Sequence, residues 1–138
     1  MRKHLWIGLL AGGLLSQPSI APAAVMIKPG LWEVSTTIEM PGVPFQQPPQ
    51  TVRQCVTPQE AEDVEKSLPI SKDCKLIDFR SSENKVNWKV ECTGKMAGEG
   101  EGDVEYMGET SYKGITRIQS HGMSFHMKHK ATRVGECP

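Results

Sequence analysis

The 138-residue chain carries 16 basic and 16 acidic side chains, four cysteines, and is 38% apolar. A near-neutral chain without a basic run has no electrostatic footprint for nucleic acid. Its length leaves room for one domain.

Arg2, Lys3 and His4 precede an apolar run, Leu5 to Leu15, and Ala21-Pro22-Ala23 supplies the small residues a signal peptidase requires. This pattern predicts a secretory signal over 1–23, cleaved after Ala23 or Ala24. The run falls short of the roughly 20 residues that span a bilayer. No cysteine follows it for lipid attachment. The expectation is a periplasmic or secreted protein, one domain over 25–138, with no membrane span in the mature chain. Loss of Arg2 and Lys3 leaves 14 basic residues against 16 acidic.

From Gly30 the dominant period is two. In GLWEVSTTIEM (30–40), Trp32, Val34, Thr36, Ile38 and Met40 share one face, and Glu33, Ser35, Thr37 and Glu39 the other. That alternation predicts a long half-buried strand. MPGVPFQQPPQ (40–50) holds four prolines and cannot pair centrally; with Phe45 it forms a passive loop, a lid or a docking segment. TVRQCV (51–56) is a second strand. Thr57-Pro58-Gln59-Glu60 is a capping box, and Ala61, Val64 and Leu68 recur at helical spacing until Pro69. One short helix over about 58–68 is predicted.

KLIDFR (75–80) and KVNWKVEC (85–92) predict a hairpin across SSEN, with Ile77 and Phe79 on the face of Val86, Trp88 and Val90. That register places Cys74 and Cys92 on opposite faces, where they cannot bridge. GEGEGD (98–103) reads as a flexible turn, and its acids would repel a phosphate. GDVEYM (102–107), TSYKGITRI (110–118) and SFHMKHKATRV (124–134) bring the strand count to seven. The expected fold is all-β and mainly antiparallel, a meander forming a curved sheet or small barrel that protects its edges.

An even cysteine count in an exported chain predicts two disulfides. Cys55, Cys74, Cys92 and Cys137 contain no CxxC spacing, which argues against a metal or redox motif. With Cys74–Cys92 disfavoured by register, the preferred pairs are Cys55–Cys74 and Cys92–Cys137. On the chain-entropy account they would stabilise by roughly 3 and 4 kcal/mol.

Three stretches carry a resemblance: KPGLWEV (28–34), PPQTVRQCVTPQE (48–60), and VNWKVECTG (86–94) paired with RVGEC (133–137). In this order, with all four cysteines in place, the chain resembles over about residues 27–137 the bacterial exported family known as domain of unknown function 3617. The resemblance implies a periplasmic or secreted bacterial protein of small β-rich fold. It carries over no catalytic residue.

The residues themselves show no catalytic constellation. There is no GxSxG elbow, the cysteines are committed, and Glu99, Glu101 and Asp103 sit on glycine-rich backbone unsuited to a rigid carboxylate pair. The chain is therefore read as non-enzymatic and without a cofactor. Two binding readings remain. Trp32, Trp88, Tyr106 and Phe125, with Val34, Ile38, Val90 and Met127, would line a sheet face that fills as core or holds a small apolar molecule or an envelope protein. The alternative is copper or another soft metal at SHGMSFHMKHK (120–130), through His121, Met123, His126, Met127 and His129. Strand geometry divides those ligands between two faces. Only Met127 with His129, or His121 with His126, would act together.

Overall fold

The computed structural model describes residues 17–18, 25–44, 47–68 and 70–138. Phe45, Pro69 and all of the expected signal segment but Gln17 and Pro18 lie outside them. Alternation from Gly30 onward produces seven strands: β1 (Gly30–Glu39), β2 (Gln50–Val56), β3 (Cys74–Ser82), β4 (Lys85–Cys92), β5 (Gly98–Tyr106), β6 (Ser111–Ser120) and β7 (Met123–Gly135). One helix, α1 (Pro58–Glu62), follows β2. The strands form a single antiparallel sheet in the order β2-β1-β7-β6-β5-β4-β3. The sheet stays open rather than closing as a barrel. Only β3 to β7 form a meander; the β1–β2 hairpin is added beyond β7.

Registers align the inward side chains in rows. Val34, Ala131, Tyr112 and Tyr106 form one row. Thr36, His129, Gly114, Val104 and Val86 form the next, followed by Ile38, Met127, Thr116, Gly102 and Trp88. Phe125, Ile118, Gly100 and Val90 continue the same face. Burial is concentrated at one end of these rows. Trp32 and Val86 are each 1% exposed, and Val34, Tyr106 and Ala131 are also buried. Val25 and Ile27, before β1, and Val64, after α1, pack on this end. Trp32 stacks at a tilt on Tyr112, and its indole Nε1 donates to the Lys28 carbonyl at 3.0 Å. The buried ring thus keeps its polar atom satisfied.

The helix is shorter than its apolar spacing predicts. Its start is as expected: Thr57 N donates to Glu60 Oε2 at 2.8 Å, and Thr57 Oγ1 accepts from Glu60 N at 3.3 Å. Its end is set by Asp63, whose carboxylate accepts from Lys66 N and pairs with Lys66 Nζ at 2.8 Å. A short acidic side chain that bonds local backbone competes with helix continuation. Residues 64–67 form turns instead.

GEGEGD is not a turn but the first half of β5, a strand flanked on both sides. Its glycines face inward under larger neighbours. A Cβ on Gly102 would stand 2.0 Å from the Trp88 ring, and one on Gly100 would stand 2.9 Å from Val90. Their side chains cover β5 where it has none, which offsets part of the glycine penalty in a strand. Glu99, Glu101 and Asp103 alternate to the solvent side. There Arg117 Nη1 meets Asp103 at 2.7 Å and Glu101 at 3.5 Å.

The β3–β4 hairpin corrects the cysteine pairing. From Asp78 to Ser82 the register is the expected one, with Phe79 opposite Trp88. At Ile77 a bulge inserts one extra residue, so Leu76 lies opposite Val90 and Cys74 opposite Cys92. Inserting one residue flips alternation; Ile77, expected inward, is 48% exposed. The strands also run to a two-residue turn, Glu83-Asn84, with Glu83 at φ 48°, instead of a four-residue loop. Cys74 and Cys92 are therefore bridged, with Cα atoms 3.9 Å apart. Cys55 bridges Cys137 across β1, with a Cα separation of 5.4 Å.

Non-reducing peptide mapping should recover Cys55 joined to Cys137 and Cys74 joined to Cys92. On the chain-entropy account, chemical denaturation should show a loss of about 4–5 kcal/mol on opening the first bridge and about 3 on opening the second. Replacing Gly102 by alanine should lower the denaturation midpoint by the equivalent of about 1–3 kcal/mol, the range for overpacking. Glu105→Ala on the exposed side should cost less than about 1 kcal/mol, as loss of an exposed ion pair does.

Candidate functional site

The sheet presents two chemically distinct faces. Trp32, Trp88, Tyr106 and Phe125, the aromatic set predicted from sequence, do share one of them, but in two different environments. Trp32 and Tyr106 are buried core; Trp88 and Phe125 stand half-buried further along the strands. Tyr106 also stacks on Tyr112, with ring centroids 5.5 Å apart. Burial, reinforced by Tyr112, pushes the Tyr106 phenol up to about 12, and burial also raises Tyr112. Both phenols stay neutral at physiological pH. Ile38, Ile118, Met127 and Trp88, all half-buried, form the less covered end of this face.

The histidine and methionine stretch divides as strand geometry requires. His121 and Gly122 make the two-residue turn between β6 and β7, both with positive φ. The His121 ring Nε2 lies 3.2 Å from the Lys95 carbonyl, on the turn that precedes β5. His126 lies opposite Arg117 and Glu39 on the solvent face. Met127 and His129 point to the apolar face. Both His129 ring nitrogens are engaged, Nδ1 with Thr36 Oγ1 at 3.1 Å and Nε2 with Thr116 Oγ1 at 3.2 Å. A neutral imidazole donates through one nitrogen and accepts through the other, so two hydroxyls satisfy it. Burial holds its pKa below the ordinary histidine value. Among the described residues no three His, Cys, Asp or Glu side chains gather in a metal-holding group. The predicted ligands are thus spread over a turn and two faces.

The solvent face carries charged ladders and two recesses. Asn87, Asp103, Ile115 and Lys128 form one row, and Lys85, Glu105, Lys113 and Lys130 the next. The guanidinium of Arg117, held chiefly by its hydrogen bond to Asp103, is raised above its ordinary value. One recess of about 400 Å³ is lined by Ile77, Lys89, Glu99, Glu101, Arg117 and His126, among others. Another, of about 510 Å³, lies over Ile115 and four lysines. Alternation along single strands does not by itself gather these lysines into one patch. The signal was present in the lysines of KHK (128–130) and in Lys113, which register places directly beside Lys130.

The His129 geometry has a pH consequence. Its folded pKa lies below the unfolded value of about 6.5, so the unfolded chain takes up a proton first as pH falls. This contribution to stability is full above about pH 6.5 and is lost progressively toward the folded pKa. Urea midpoints of the wild type should decline between pH 7 and pH 5. His129→Gln, which keeps a donor and an acceptor but does not titrate, should show a flatter profile.

No curated protein and no solved structure matches the chain. A family model does, over residues 27–137, described as Protein of unknown function (DUF3617). That span takes in all seven strands and both disulfides. The chain belongs to the DUF3617 family.

Proposed function

We propose that this protein is an exported, non-enzymatic domain that holds a small apolar ligand against the open end of its inner sheet face. The observation that carries the reading is the burial gradient along the strands. Every buried apolar side chain of the sheet, Trp32, Val34, Val86, Tyr106 and Ala131, lies near the end packed by Val25, Ile27 and Val64. Ile38, Trp88, Ile118, Phe125 and Met127 continue the same apolar face but stay half-buried. Partly exposed apolar area of this kind gains free energy, about 25 cal/mol per Å², when a ligand removes it from water.

Export is supported by the leader-like pattern of residues 1–23 and by two disulfides, which are consistent with an oxidising location. The non-enzymatic reading is supported by the environment of His129. Its hydroxyl partners are two threonines, and no carboxylate hydrogen bonds to its ring among the described residues. Such an arrangement satisfies a buried polar group and lacks the third member that orients a catalytic base.

Titration with the neutral fluorophore N-phenyl-1-naphthylamine tests the site. The full chain should bind it saturably at one site. Phe125→Ser and Ile38→Ser should each weaken binding at least tenfold while both disulfides still form. A wild type that leaves the fluorophore unbound would sink the reading, as would variants that bind it unchanged.

A further inference from the structure

We propose a second binding site, on the opposite, solvent-facing side of β4 to β7, for a single-chain amphiphile with an anionic head. The starting observation is an arrangement that costs free energy unless something offsets it. Lys113 and Lys130 stand directly opposite each other on β6 and β7, and Lys128 is diagonal to Lys113. Like charges facing across a strand pair are destabilising. Lys85 closes the same row from β4, beyond Glu105. Four lysines therefore border one recess, against two acids, Asp103 and Glu105, in a chain with no net positive charge.

Neutralisation within the fold is partial. Lys113 pairs with Glu105 at 3.4 Å, and Lys128 with Glu39 at 2.8 Å. Asp103 is committed elsewhere, to Arg117 at 2.7 Å and to Asn87 at 2.6 Å. Lys85 and Lys130 have no ion-pair partner among the described residues. Two cations are thus left over at the rim.

The floor of the recess decides what kind of anion fits. It offers about 510 Å³ over Ile115, the apolar side chain of its row, flanked by the lysines. Lysine stems are apolar along their length and carry charge only at the tip. A bare inorganic anion would engage the tips and leave the stems and Ile115 wet. A short acyl chain covers both while its head lies among the ammoniums. The recess also touches Val104, Gly114 and His129, whose side of the sheet is the inner one, but it shares no residue with the open apolar end around Ile38, Phe125 and Met127, so it stands or falls separately from the apolar-ligand reading.

Isothermal titration of the full chain with sodium decanoate, below its micelle concentration, gives the test, with acetate and neutral decyl maltoside as comparisons. Decanoate should bind at one site, and acetate and decyl maltoside at least tenfold more weakly. Lys130→Met, which keeps the stem and removes the charge, should weaken decanoate at least tenfold, and Lys130→Arg should bind within threefold of wild type. Lys72→Met, away from the recess, should bind as wild type does. Because Lys130 is exposed, the variants should fold. The melting temperature of Lys130→Met without ligand should equal or exceed that of the wild type, since a like-charge contact is removed. Equal binding of decyl maltoside and decanoate would overturn the proposal and place the chain on the inner face. Equal binding of acetate would overturn it in favour of a plain anion site. Unchanged decanoate affinity in Lys130→Met would also overturn it.

Discussion

The architecture depends on how the chain travels from β2 to β3. These strands are consecutive in sequence yet occupy opposite edges of the sheet. A single layer cannot hide an apolar face by itself; another element must be laid against it. The segment between the two edge strands supplies part of that cover. It starts with the capped helix, buries Ala61, and sets Val64 against Val25, Val86 and Tyr106. Covering one end and not the other produces the burial gradient on which the functional reading rests. The domain's economy of residues and its open surface have the same origin.

The two edges are held covalently. Cys55 on β2 is tied to Cys137 past the end of β7, and Cys74 on β3 is tied to Cys92 on β4. Each bridge thus secures one outermost strand to a strand or tail further inside. Edge strands have a partner on one side only and are the first to fray or to pair with another molecule. A bulge on β3 adds a further defence at that edge. A sheet with a modest core gains from closing loops in the unfolded chain.

Strand placement was legible because period two is a strong signal wherever apolar and polar residues alternate. Gly30–Glu39 and the stretch following Met123 show this, with both faces assigned correctly. The seven-strand count and the capping box at Thr57 were readable for the same local reasons. Three features escaped for physical reasons. Glycines at alternate positions mimic a turn, since their partners Trp88 and Val90 lie on a neighbouring strand. A bulge changes parity without changing composition, so the register argument that disfavours Cys74–Cys92 holds only for a regular ladder. Leu76 and Phe79 hinted at it: two inward apolar residues three apart do not fit strict alternation. The lysine recess is also a property of register, because Lys113 and Lys130 become neighbours only when β6 and β7 align. Strand geometry itself limits the metal reading of the histidines, and the threonine partners of His129 come from neighbouring strands, β1 and β6, that only register brings beside it.

The glycine-paved half of β5 bears on the order in which the sheet assembles. Over Gly98, Gly100 and Gly102 this strand brings no inward side chain of its own. Fixing glycine backbone is costly in entropy, and nothing local repays it. The repayment comes when Trp88 and Val90 fold across it from β4. The β3–β4 hairpin, local in sequence and cross-linked at its base, can form with few long-range contacts. It then offers a ready apolar surface on which the bare strand settles. The centre of the sheet is in this sense templated from one side, and its rigidity is borrowed from a neighbouring tryptophan.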